Sequence, residues 1–196
     1  LENEKTARAF IKRLLPEKVQ RDINMEILDK HTDPLDLPGF LKPVEIGENV
    51  GIISEAGVPC VADPGAEIVS IAHRKGLSVK PLVGPSSILL ALMGSGFNGQ
   101  QFTFRGYLPF DQGIRKRVFQ AMTKDLKDGI TQIFMETPYR NNKLVEELLK
   151  VLHPETKLCI ACDITLQNEY IQTKTIADWA KNLPDLHKRP TIFLLD

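Results

Sequence analysis

Four stretches of the chain combine residue types and spacings that could do chemistry. The first is NVGIISEAGVPCVADPG, residues 49–65. A glycine lets backbone approach a ligand closely, so residues 54–61, around Gly57, form a candidate small-molecule turn. The second is a cationic cluster of Arg105, Arg115, Lys116 and Arg117, with Phe104, Tyr107 and Phe110 beside it. It reads either as an edge where cations position phosphates and aromatics stack bases, or as a solvated helix face beside core aromatics. The third is Gly94-Ser-Gly96-Phe-Asn-Gly99, a letter-for-letter G-x-G-x-x-G. A dinucleotide fingerprint needs a strand before it and a helix after it. Here a helix precedes and a strand follows, so a helix stop and a linker explain these glycines better. The fourth is Cys159-x-x-Cys162. It lies in a strand pattern, where residues three apart face opposite ways. No second Cys or His pair follows at zinc spacing, so no metal site is expected.

These groups need elements to position them. Val50, Ile52 and Ile53 form the nearly continuous apolar run of a buried parallel strand, and ligands of such sheets sit at strand carboxyl ends. Asp63 is placed to N-cap the next helix, with Pro64 at its first position. That helix, residues 66–75, puts Ile68, Val69 and Ala72 on one face and ends at Gly76. A strand over 79–83 runs into Gly84-Pro85-Ser86-Ser87 and then a strongly apolar helix, 88–93, that should be buried. Upstream, residues 4–15 read as a helix stopped by Pro16. Residues 19–28 are strand or loop, and 31–43 a long loop that is either a lid or mobile.

The second half predicts strands at 102–107, 130–135, 158–161, 169–172 and 191–195. Between them lie helices marked by Ile114, Val118, Met122 and Leu126, by Leu144, Val145, Leu148 and Leu149, and by Trp179. In the first half the alternation of strand and helix with short connections implies a parallel sheet, and the fold class expected is α/β. Two domains are expected, 1–100 and 101–196.

The 196 residues suit one large or two small domains. A formal net charge of zero excludes a global field toward nucleic acid or anionic membrane, though not a local patch. Three cysteines leave no disulfide framework, which points to a reducing, cytoplasmic setting. No apolar run is long enough for a membrane span. The chain starts at Leu1, not Met, and reads as a fragment or a chain without its true start.

SEAGVPCVADPG (54–65), VGPSS (83–87), FRGYLP (104–109) with the basic helix after it, and METPYR (135–140) occur in that order. Together they resemble the tetrapyrrole methylase superfamily of S-adenosylmethionine-dependent methyltransferases, over nearly the whole chain. Within it the chain is most similar to the branch that methylates a ribose 2′-oxygen of small-subunit ribosomal RNA. The resemblance implies two α/β/α domains, S-adenosyl-L-methionine as cofactor in the interdomain cleft, a homodimer, and ribosomal RNA or the small ribosomal subunit as partner. It implies donor contacts at Glu55, Ala56, Gly57, Val58 and Val61, at Ser86 and Ser87, and an apolar wall at Met135. Residues 1–5 resemble the end of the family's second strand, which would place the first strand and its donor loop upstream.

A sulfonium donor is already activated, so proximity and in-line orientation can supply much of the catalysis. A sugar hydroxyl still benefits from a base. Glu55 and Glu136 are the candidates, with Asp63 better explained as a cap. On this reading Arg105, Tyr107, Arg115, Lys116 and Arg117 would touch RNA. The branch's R-E-L-T-K is replaced by Cys162-Asp163-Ile164-Thr165-Leu166, without its basic pair, and Glu55 stands for the more usual Asp. Two alternatives therefore stand beside the RNA enzyme: a methyltransferase for a tetrapyrrole or other small acceptor, and a non-catalytic donor- or RNA-binding module.

Overall fold

The computed structural model describes residues 1–29 and 31–196. They divide into two compact units, Leu1–Pro85 and Ser86–Asp196.

The second unit is built on five strands: β1 (Phe102–Tyr107), β2 (Thr131–Met135), β3 (Lys157–Cys162), β4 (Tyr170–Thr175) and β5 (Thr191–Leu195). Their order across the sheet is β1-β2-β5-β3-β4. β1 and β2 are parallel, and the other neighbours are antiparallel. Between Phe104 and Tyr107, β1 carries one residue more than β2. Gly106, at φ +65°, takes up that bulge in a conformation side chains disfavour.

Alternation along the strands makes two apolar faces. Phe134, Leu158, Ile160, Cys162, Phe193 and Leu195 pack under three helices: α5 (Gln112–Lys127), α6 (Asn141–Val151) and α7 (Ile176–Trp179). Phe134 stacks on Phe193 with centroids 5.8 Å apart. Trp179 is fully buried, and its Nε1–H donates to the Leu158 carbonyl at 2.8 Å. The opposite face, with Ile133, Cys159, Ala161, Ile192 and Leu194, is covered by α4 (Ser87–Ser95) through Ile88, Ala91 and Leu92. Cys159 and Cys162 thus fall on opposite faces of β3, as a strand requires.

The helix α4 corrects the expected division at residue 100. It packs on β3, β4 and β5 of the second unit's sheet, so the units part between Pro85 and Ser86. Only one side of α4 is buried; Leu89 and Met93 are exposed. Gly96 ends α4 in the left-handed conformation and β1 follows, which leaves the glycine triplet without a dinucleotide context.

The first unit is helical among its described residues. α1 (Glu4–Leu14) is capped by Asn3, whose side chain accepts from the Lys5 and Thr6 amides. A 3-10 turn at Leu37–Leu41 runs into α2 (Lys42–Glu45), and α3 (Ala66–Arg74) follows. Leu28, Leu37, Leu41, Ile68, Ile71 and Ala72 form the core. Leu37 and Leu41 anchor in that core the segment expected to be a lid or a mobile loop, 31–43.

Three expectations are corrected here. The segments 50–53 and 79–83 form no strand, and this unit has no strand among its described residues. A strand exists only where a neighbour completes its ladder, and an apolar run does not encode its neighbour. Asp63 does not cap α3; Gly65 occupies that position at φ +128°. A Cβ there would lie 2.9 Å from the Cys60 Sγ, so the tight approach selects glycine.

Candidate functional site

In the first unit the turn after residue 53 is shaped by left-handed backbone. Gly57 sits at φ +75°, and Cys60 and Ala62 at φ +69° and +59°. Ala56 and Gly57 are exposed, and nothing lies within 4 Å of a Cβ built on Gly57. The turn therefore presents open backbone. Its flank is fixed by Val58, whose Cγ1 lies 3.7 Å from a Cβ built on Gly84. Two segments far apart in sequence, 56–58 and 83–85, thus lie side by side within one unit.

Glu55 is tied to the first helix. The Thr6 hydroxyl donates to Glu55 Oε1, and the Glu55 amide donates to Glu2 Oε1 at 3.1 Å. Its carboxylate is exposed. Burial, and secondarily the Glu2 carboxylate, push the Asp63 carboxyl above its ordinary value. Burial likewise raises the Cys60 thiol, with Asp63 adding to the effect. Val61 is exposed, as is Ser87, while Ser86 is half-buried at the N-cap of α4.

In the second unit the parallel strands β1 and β2 end beside each other, where the Leu108 amide donates to the Met135 carbonyl at 3.1 Å. Met135 is half-buried against the apolar face that α4 covers. Glu136 follows and turns inward. Its Oε2 accepts from Arg115 Nη1 at 3.0 Å, and its Oε1 accepts from the Thr137 amide at 2.9 Å. The two side chains are 4% and 1% exposed. Arg115 Nε also donates to Glu147 Oε2 at 2.7 Å, and its Nη1 to the Pro109 carbonyl at 3.2 Å. Arg140 stands 3.8 Å from Glu136 Oε2 and stacks on Phe110, 4.4 Å from the ring centroid.

This network corrects two expectations. Arg115 is not an outward RNA contact, because it shares the inner face of α5 with Phe119 and Met122 at helical spacing. Glu136 is not a free base; its carboxylate is held by a buried guanidinium and a backbone amide. Arg105 is also engaged, with Asp125 and with Gln132 Oε1 at 2.9 Å. Lys116, Arg117 and Tyr107 do face solvent.

The family model described as Tetrapyrrole (Corrin/Porphyrin) Methylases matches residues 4–180. The chain belongs to this methylase family. It is 33% identical over 132 residues to the ribosomal RNA small subunit methyltransferase I of Vibrio cholerae, covering 67% of this chain and 45% of that protein. The same-named protein of Mesorhizobium japonicum is 34% identical over 139 residues, 71% of this chain and 46% of that one. For Leptospira borgpetersenii the figures are 33% over 165 residues, 83% and 64%. The chain spans about half the length of the curated relatives it matches. The crystal structure of the methyltransferase CobJ shares the fold, with a TM-score of 0.61 over 100% of this chain and 87% of that one at 15% identity.

Within this methylase chain, two groups escape sequence reasoning. Arg189 Nε donates to the buried Asp163 at 2.7 Å, and its Nη2 to the Asn168 carbonyl at 2.9 Å. This fixes the loop that departs from the family's basic pair. Tyr139 is exposed and Arg140 half-buried in the METPYR turn, whose 3-10 segment starts at Pro138.

Proposed function

We propose that the chain is part of an S-adenosylmethionine-dependent methyltransferase that methylates a ribose 2′-oxygen of small-subunit ribosomal RNA. The observation that supports this best is the adjacency of the 56–58 turn and the 83–85 segment, two stretches whose sequences resemble the family's donor-binding motifs. The left-handed Gly57, open on its outer side, fits a donor held by backbone amides and carbonyls. Residues 56–58 and Val61 would hold the donor from the first unit.

When bound, S-adenosylmethionine supplies a sulfonium methyl that is already activated. The chain's own task is to orient the acceptor oxygen in line and to receive its proton. Glu55, exposed and steered by Thr6, is the carboxylate available for the proton or for a donor hydroxyl. Glu136 instead positions the β2 turn through Arg115. Two further readings accompany this one. Three unpaired cysteines support a reducing, cytoplasmic setting. The exposed Leu89 and Met93 on α4 support a homodimer, which sedimentation equilibrium would test.

The test is methyl transfer from radiolabelled donor to small ribosomal subunits lacking their ribose methyl groups, by this chain and by a form extended to its relatives' full length. Label in a 2′-O-methyl nucleoside supports the reading. Label in an added tetrapyrrole and not in RNA would replace it with a small-molecule methyltransferase. Donor binding with no transfer to either would favour a binding module.

A further inference from the structure

The second unit gathers exposed aromatic rings and cations at one edge of its sheet, and the family assignment does not account for them. β1 and β2 end at this edge, and β5, which runs the opposite way, begins there. Three loops therefore meet: 108–111, the turn at Pro138–Arg140, and 185–190. Phe110 and Tyr139 are 71% and 70% exposed. Arg140 lies over the Phe110 ring. Lys188 Nζ lies 5.7 Å from the Tyr139 centroid, and His187 meets the same ring edge-on at 6.0 Å. Lys116 and Arg117 follow Phe110 on the first turns of α5 and face solvent.

The arrangement is held in place from behind. The Lys188 amide donates to the Pro138 carbonyl at 3.0 Å. Asn142 Oδ1 accepts from the Leu186 amide at 2.8 Å, and Arg189 Nη1 donates to the Asp185 carbonyl at 3.2 Å. The nearby carboxylates are occupied. Asp111 caps the Ile114 amide at 2.8 Å, and Asp185 accepts from Asn142 and from the His187 amide. Glu136 faces its arginines. What turns outward is planar ring surface and cations, beside the exposed carboxylates of Asp111 and Asp185.

We infer that Phe110 and Tyr139, with Lys188, Lys116 and Arg117, form a docking edge for an unpaired RNA strand. Its bases stack on the two rings and its phosphates meet the three cations. Base stacking on aromatics tolerates any sequence and needs unstacked bases, so the edge selects single strand over duplex. An acidic peptide would use the cations but has no planar groups for the rings. The inference rests on the proposed RNA substrate.

The test is fluorescence anisotropy of a fluorescein-labelled, unstructured RNA dodecamer and of a duplex of equal length, titrated with the chain. S-adenosylmethionine binding is followed separately by calorimetry. The single strand is expected to bind more tightly than the duplex. Phe110→Ala and Tyr139→Ala, both at exposed positions, each weaken single-strand binding by at least about fivefold. Tyr139→Phe retains it. Lys188→Gln flattens the slope of log affinity against log salt by about 0.7. Equal RNA affinity in wild type and the Phe110→Ala/Tyr139→Ala double variant, with matching circular dichroism, would overturn the edge. So would an absence of RNA binding by the wild type; donor binding in that same protein would show that the methyltransferase reading survives. Ring-dependent binding of polyglutamate, displacing the RNA, would also overturn it and mark the edge as a site for an acidic protein.

Discussion

Arg115 and Glu136 form a buried ion pair, Nη1 to Oε2 at 3.0 Å, between the first turn of α5 and the turn that leaves β2. Taking two charges out of water is costly unless their remaining hydrogen-bonding capacity is met. Here it is met by Glu147, the Pro109 carbonyl and the Thr137 amide. The pair thus ties a helix to the carboxyl end of a strand, where ligands of α/β sheets collect.

Removing one partner strands the other. Arg115→Met should destabilise the second unit by about 3–5 kcal/mol, because Glu136 keeps a buried charge with only Arg140 near it. Arg115→Met/Glu136→Gln together should cost clearly less than the sum of the single changes. Urea denaturation of the four proteins of this cycle measures the coupling.

Trp179 carries the packing of α7 on β3. Trp179→Phe removes the donor to the Leu158 carbonyl and should cost about 1–3 kcal/mol. Trp179→Ala also opens a cavity and should cost about 3–5 kcal/mol. Thermal unfolding followed by circular dichroism ranks the two variants.

The sequence pattern makes the second unit legible and the first only in part. The strands β2, β3 and β5 are visible as apolar runs set between periodic helices or turns, and Cys159 and Cys162 fall on opposite faces of β3 as the strand pattern requires. The runs at 50–53 and 79–83 carry the same signal, yet they form no strand, because pairing belongs to a neighbour and not to the run itself. Arg115 is misread when it is grouped with Lys116 and Arg117 by charge. Its spacing to Phe119 and Met122 is the better guide. At Asp63 the cap rule fails because Gly65, two residues on, supplies a backbone geometry no side chain tolerates, and the helix starts there. The donor motifs are readable as sequence; that 56–58 and 83–85 touch is visible only in three dimensions.

Asp63 gives a pH dependence with a definite sign. Its carboxyl is raised in the folded chain, chiefly by burial and then by Glu2. The folded state therefore favours the protonated acid, and this contribution to stability is lost as pH rises through the folded-state value. Asp63→Asn should raise the melting temperature at pH 7. The difference should shrink as pH falls below about 4, where the wild-type carboxyl is protonated in both states. Melting curves from pH 3 to about 7 check the trend.

Donor binding at the Gly57 turn is the central claim, and calorimetric titration of S-adenosylmethionine tests it most directly. The titration is run on wild type, Gly57→Ala and Gly57→Arg, in this chain and in the extended form. Any side chain at φ +75° strains the backbone by about 1–3 kcal/mol, while the space beyond it is open. The account predicts saturable binding by the wild type, weakened by Gly57→Ala and abolished by Gly57→Arg in proteins that remain folded by circular dichroism. Wild-type binding that Gly57→Arg leaves unchanged, or no binding at millimolar donor by the folded extended form, would contradict it.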